Sequence, residues 1–197
     1  MKLGKPEAVI FASRHSSASE RRTLSVHPVG NFGAAEFGGK EREIVPSSPR
    51  LMLGALMLLR EKSEKMDYDV CYEVTHHGPY LTTPSFFIET GSTEREWNDR
   101  DACRVIAETI MEMSEAGRAA VGVGGGHYAP RFTDIALRRE VAFGHMIADY
   151  RLDEMDEDMI RKAIRATPDA RYAYFHGKKG LKYKKIFEDE GIECIAK

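Results

Sequence analysis

The chain has 197 residues, 42% of them hydrophobic and 30% charged, with a formal net charge of −2. That length fits one large domain, and the balance supplies a sizeable core while excluding a membrane protein, since no run nears the roughly 18 apolar residues of a spanning helix. The start, MKLGKPEAVIFAS, lacks the long apolar stretch of a secretory leader. Three scattered cysteines, Cys71, Cys103 and Cys194, show no CxxC spacing and argue against a disulfide framework or a thiolate zinc site. A reducing, cytoplasmic setting is expected.

In chain order, the apolar run Ala8 to Ala12 reads as a short buried strand. A second strand at Thr23 to Val26 leads into the glycine-bearing segment GNFGAAEFGG. Ser48 followed by Pro49 predicts a helix start, and LMLGALMLLR is apolar almost all round, so that helix should be deeply buried. Asp69 to Thr75 and Ser85 to Thr90 read as strands. The capping box Thr93-x-x-Glu96 opens a helix carrying Ala102, Val105, Ile106, Thr109, Ile110 and Met113 at helical spacing. Ala119 to Val123 is strand-like and ends in three glycines. A helix from Asp156, a strand at Tyr172 to Phe175, a helix near Leu181 to Glu190 and a short last strand complete the chain. The alternation predicts an α/β fold with a mixed or largely parallel sheet flanked by helices.

The seven histidines carry the chemical signal. His15, His76, His77 and His127 each follow a predicted strand, and the carboxyl ends of strands line the ligand crevice of open α/β sheets. His145 stands beside a glycine. Along an extended strand Glu73, Thr75 and His77 share one face while His76 lies on the other. The turn at Gly78-Pro79 would let both imidazoles reach one cleft. Imidazoles and the carboxylates of Glu73 and Glu89 are natural zinc ligands, although no HExxH motif is present. Each of these groups also has a plain reading as a hydrogen-bonded loop residue or a solvated strand end. His27 and His176 read as structural or surface groups. The glycines Gly124, Gly125 and Gly126 lack the Lys-Ser/Thr of a P-loop and would let backbone approach a ligand closely. Six Lys/Arg and no acid lie in RYAYFHGKKGLKYKK. Lys178, Lys179 and Lys182 there, with Tyr172, Tyr174, Phe175 and Tyr183, are expected to contact RNA phosphates and bases; the alternative is a core strand followed by a solvated basic helix.

In order along the chain, ASRHSS, FGG, EVTHHGP, PSFFIETGSTEREW, VGVGGGHYAPR and FGH resemble the archaeal and plant family of D-aminoacyl-tRNA deacylases. The resemblance is dense from Val9 to about Tyr150. It implies a zinc-dependent esterase, with two ions, that cleaves a D-amino acid from the 3′ end of tRNA. It also implies a fold similar to phosphorylase or peptidyl-tRNA hydrolase domains. Members of that family carry several dozen residues, including a first strand, before the segment matching VIFASRHSS. Residues 1–197 are therefore expected to form a single α/β domain without that strand region.

On this resemblance His76, His77, His127, His145 and Glu89 are the expected metal ligands, and His77, His127, Glu73 and Arg131 the expected catalytic groups. Either Arg131 or the glycine-loop N–H groups would steady the carbonyl. His15, Gly124, Gly125, Gly126, Lys178, Lys179 and Lys182 are the expected substrate contacts. The partner is D-aminoacyl-tRNA, with no membrane, and the chain is expected to be a monomer. Two rivals stand beside this reading: a zinc peptidase or amidase for small substrates, and a tRNA-binding remnant without catalysis. The single-cleft expectation fails if His76 and His77 both lie more than about 10 Å from His127, because ligand bonds to zinc are about 2 Å long.

Overall fold

The predicted alternation resolves into two four-stranded sheets in the computed structural model, which describes residues 4–196. The first sheet contains β1 (Val9–Arg14), β2 (Thr23–Pro28), β3 (Asp69–Tyr72) and β4 (Ser85–Gly91), in spatial order β1-β4-β2-β3. Strands β1 and β4 are parallel, as are β2 and β3, while β2 runs antiparallel to β4. The second sheet contains β5 (Arg118–Gly124), β6 (Val141–Ile147), β7 (Tyr172–His176) and β8 (Glu193–Ala196), all parallel, in order β6-β5-β7-β8. Six helices flank them: α1 (Pro49–Lys62), α2 (Glu94–Trp97), α3 (Arg100–Glu112), α4 (Pro130–Arg139), α5 (Glu157–Arg165) and α6 (Lys184–Asp189). Among the described residues no helix is long and apolar enough to cross a membrane.

Helix α1 explains its own composition. It packs against strands of both sheets and against α3 and α4, which leaves only a stripe with Arg50, Met57, Arg60 and Glu61 to water. Met52, Leu53, Ala55, Leu56 and Leu59 are all completely buried. Each of the large side chains among them contributes roughly 1.5–3 kcal/mol relative to exposure. Pro49 occupies the first turn as expected, but the Ser48 side chain makes no capping hydrogen bond.

The long helix expected from Thr93 to Met113 is two helices. Glu96 accepts from the Thr93 N–H (3.1 Å) and hydroxyl (2.7 Å), which starts α2. Asp99 then starts α3 by accepting from the N–H groups of Asp101 and Ala102 (3.0 and 3.2 Å). Helix α4 had no counterpart in the sequence reading. Asp156 caps α5 through the Met159 N–H at 2.9 Å.

Strand β3 stops at Tyr72, three residues earlier than the pattern suggested. The next residues change partners, and this joins the two sheets. Glu73 N–H still donates to Val26 O in the first sheet (3.0 Å), but Val74 N–H donates to His127 O (2.9 Å) and Thr75 N–H to Met146 O (3.0 Å). The extended segment after β3 is thus carried across to the C-terminal ends of β5 and β6.

Candidate active site

Four strands deliver polar groups to one face of the first sheet. In β4, Phe86, Ile88 and Thr90 alternate with Phe87, Glu89 and Gly91, and Phe86 and Ile88 join the core under α1 and α3. That leaves Phe87 and Glu89 on the other face. In β2, His27 pairs with Phe87 and Ser25 with Glu89. The His27 ring stacks on Phe87, with centroids 5.0 Å apart and planes 1° from parallel. His15 follows β1, Glu73 follows β3 and His127 follows the end of β5, all at carboxyl ends of strands.

Five histidines and two acids converge there. Glu73 Oε2 lies 2.9 Å from His127 Nε2, 3.4 Å from His15 Nδ1 and 3.7 Å from His76 Nε2. Glu89 Oε2 lies 3.6 Å from His27 Nε2 and 3.8 Å from His15 Nδ1. The rings of His76 and His127 are 4.8 Å apart, those of His27 and His76 4.1 Å, and those of His76 and His77 4.5 Å. The single-cleft expectation therefore passes its distance test.

Tautomers follow from the partners. A carbonyl can only accept, so each ring nitrogen facing one must carry the proton. His27 Nδ1 faces Pro28 O (3.1 Å), His76 Nδ1 faces Val74 O (2.8 Å) and His77 Nδ1 faces Gly78 O (2.6 Å). The Nε2 lone pairs of all three are then free. Orientation of one imidazole nitrogen by an acceptor is how proteins present the other to a metal. His27, His76 and His77 form one set of donor atoms lying within 4.8 Å of one another, and His15, Glu73 and His127 form a second. His27 Nε2 and both Glu73 oxygens are buried without a hydrogen-bond partner. The 2.9 Å approach of His127 to Glu73 is close but out of hydrogen-bond alignment. Orphaned buried polar atoms are costly, and a cation between them would relieve that cost.

The electrostatics favour an ionised Glu73 and neutral His76 and His77, whereas the neighbouring acids favour a proton on His27. Burial alone would raise the Glu73 carboxyl, but the His127 contact and the His27, His15 and His76 imidazoles outweigh it and hold it well below the usual carboxylate range. Burial, followed by repulsion from His27, lowers both His76 and His77. Burial opposes protonation of His27 as well, yet Glu89 and then Glu73 raise it.

Several expected residues lie elsewhere. His145 is completely buried in the interior of β6 and not at a strand end. Its Nε2 donates to Val45 O (2.9 Å) and its Nδ1 meets the Thr75 hydroxyl (3.1 Å), so neither nitrogen is free for a metal. Arg131 is exposed on α4 and lines a small groove with Arg138, Tyr174 and Ile195 that contains none of the histidines. At Gly124 the space for a Cβ is occupied by His176 O at 2.0 Å, so that glycine serves strand packing; beside Gly126 nothing lies within 4 Å. Phe175 and Tyr183 are buried in the core of the second sheet and Tyr172 and Tyr174 pack on core residues, so these rings are not a stacking surface. Lys179 pairs with Asp153 at 2.7 Å and Lys182 with the same carboxylate at 3.8 Å, whereas Lys178 is exposed with no ion pair among the described residues.

His27, expected as a structural or surface group, is completely buried within the cluster, and sequence reasoning passed over Tyr128 and Tyr150. Thr23, Ser25 and His27 alternate with Leu24 and Val26, and that polar face was the available signal for His27. Tyr128 OH lies 3.2 Å from His15 Nε2 and Tyr150 OH 3.4 Å from His127 Nδ1. Nothing local in the sequence marks Tyr150. Volume is a poor guide as well: a groove of about 800 Å3 between β1 and α3, lined by Ala12, Arg14, Trp97 and Ile106, contains none of the histidines.

A family model described as D-aminoacyl-tRNA deacylase matches residues 3–195. A D-aminoacyl-tRNA deacylase of Pyrococcus furiosus is 42% identical over 200 residues, covering 97% of this chain and 74% of that protein. One from Thermoplasma acidophilum is 36% identical, covering 98% and 78% respectively. The crystal structure of a conserved protein of unknown function matches with a TM-score of 0.91 at 37% identity, covering 96% of this chain and 71% of that one. Residues 3–195 and a shared fold thus identify this chain as a member of the D-aminoacyl-tRNA deacylase family.

Proposed function

We propose that the protein hydrolyses the ester linking a D-amino acid to the 3′ end of tRNA, with help from divalent metal held in the histidine cluster. The observation that carries the metal reading is the convergence of three oriented Nε2 lone pairs on His27, His76 and His77, beside the orphaned Glu73 carboxylate. Zinc suits nitrogen and carboxylate donors, and two sets of donors match the two ions that the resemblance implies. His27, His76 and His77 would hold one ion, and His15, Glu73 and His127 the other. An ion bound there would supply acidified water and a polarised ester carbonyl.

The remaining groups have roles of their own. Glu89 borders both donor sets without belonging to either, so it is the group assigned to take the proton of the attacking water. Water oxygen bonds to the ester carbon, the bond from that carbon to the ribose oxygen breaks, and the ribose oxygen receives a proton. The products are a free D-amino acid and a tRNA with its terminal hydroxyls restored. Tyr128 and Tyr150 orient His15 and His127 from behind. Lys178, exposed beside Lys179, which donates to Asp149 O next to Tyr150, is assigned to tRNA phosphate, and a substrate of this kind fits an enzyme of the cytoplasm.

The test is metal analysis of purified protein together with release of amino acid from D- and L-aminoacyl-tRNA. Stoichiometric zinc, release from the D form and loss of that release with chelator are expected. Protein free of zinc, with activity intact in EDTA, refutes the metal role. Zinc-loaded protein that leaves D-aminoacyl-tRNA intact but cleaves small D-peptides supports the amidase rival.

A further inference from the structure

Two exposed aromatic residues, Phe37 and Tyr150, stand on segments that contact the histidine cluster, and core packing explains the exposed ring of neither. Among the described residues five large hydrophobic side chains are exposed: Phe37, Met57, Met111, Tyr150 and Leu181. Phe37 is 80% exposed and Tyr150 50%, and each is joined by a hydrogen bond to the cluster or to the residue beside it. Tyr150 reaches it through its hydroxyl, 3.4 Å from His127 Nδ1. Phe37 reaches it through its backbone, whose carbonyl accepts from the N–H of Gly78 (3.3 Å), next to His77.

The loop that carries Phe37 is pinned on both sides. Gly30 N–H donates to His77 O (2.9 Å), and the Asn31 side chain donates to Gly38 O (2.8 Å) and Lys40 O (3.3 Å). Toward α5, Arg42 pairs with Asp156 and Lys162 with Glu43. Gly33 faces Arg151 and Glu154, beside the turn that bears Tyr150. The two rings therefore stand on adjoining, well-anchored segments. Cations accompany them: Arg151 lies 5.7 Å from the Tyr150 ring, Lys40 sits 4.2 Å over Tyr80, and Lys179 donates to Asp149 O (2.8 Å).

We propose that Phe37 and Tyr150 form a stacking platform for the unpaired terminal bases of the RNA 3′ end. This rests on the deacylase reading above, which brings that end to the histidines. The terminal nucleotide carries the ester, so its base must lie one ribose away from the reacting carbonyl, at the rim of the cluster. Unpaired RNA ends are held by stacking on aromatic faces with cations on the phosphates. Stacking tolerates any base and any tRNA body, which suits an enzyme that selects by the amino acid.

The experiment uses a fluorescently labelled RNA stem-loop with a 3′ CCA overhang, and the same RNA with an abasic terminal position. Binding is measured by anisotropy at low and high salt for wild type, Phe37→Ala, Tyr150→Ala and Phe37→Trp. Wild type should prefer the intact end roughly 5- to 100-fold, from the usual strength of base–aromatic stacking. Salt should weaken both probes together and leave the preference, because stacking releases no counterions. Each alanine variant should reduce the preference, and Phe37→Trp should keep it. No preference in wild type, or one that survives both alanine substitutions, overturns the proposal. A preference in a wild-type protein that releases no D-amino acid from tRNA would refute the deacylase reading and leave the platform standing. Release without a preference would do the reverse.

Discussion

His145 should make the fold acid-sensitive, and the size of the effect follows from its surroundings. Burial lowers this imidazole to about 4, against roughly 6.5 in an unfolded chain. The Val45 carbonyl fixes the proton on Nε2, and the Thr75 hydroxyl, which already accepts from Met146 N–H, gives its own proton to Nδ1. A second ring proton would break that bond. As pH falls through 6.5 the unfolded chain takes up a proton that the folded one refuses. Stability therefore falls with pH, and the loss levels off below about 4. Linkage puts the loss between pH 7 and pH 5 at about 2 kcal/mol from this residue alone. The perturbation is His145→Gln, whose amide keeps a donor and an acceptor but does not titrate. Urea unfolding of both proteins at pH 7 and pH 5 reads the effect, with the other histidines common to both. Wild type should lose about 2 kcal/mol more than the variant over this interval. Equal losses would refute the assignment of His145 as a neutral structural group.

Gly54→Ala in α1 should destabilise by about 1–3 kcal/mol or more in a thermal melt, because the new Cβ would fall 1.9 Å from Ser114 O; an ordinary helical glycine would gain stability from the same change. His127→Ala should cost at least about 100-fold in kcat/KM on D-aminoacyl-tRNA, while urea unfolding shifts by no more than about 1.5 kcal/mol, since the ring is partly exposed and makes one long hydrogen bond. Lys178→Glu should weaken tRNA binding, with the loss shrinking as salt is raised; affinity unchanged at low salt would remove this lysine from the RNA surface. Phe143→Ala, at a completely buried ring, should cost about 3–5 kcal/mol of unfolding free energy.

Local chemistry settled part of this protein. The all-round apolar run of α1, the Asp156 cap of α5 and the short apolar strands were readable because each depends on neighbours a few residues away. The same holds for His15, His76, His77 and His127, since placement just after a predicted strand is a local property that points to the crevice, whereas Glu73 was expected inside the strand and its position past the end of β3 came from the fold. The α2–α3 break turned on whether Asp99 or the helix satisfied the next N–H groups, a competition that periodicity alone does not decide.

Tertiary structure decided the rest. His145 and His127 both stand beside glycine, yet one is sealed in the interior of β6 and the other reaches Glu73. The difference lies in which strand ends lie next to each other, and those ends are separated by dozens of residues. His27 entered the site because β2 runs antiparallel to β4, which sets it opposite Phe87 and beside Glu89. β3 looked three residues too long because Glu73 to Thr75 stay extended while exchanging one sheet's partners for the other's. Extended backbone has the same sequence pattern in either sheet, so the residue types fixed the chemistry on offer and long-range pairing fixed which groups meet.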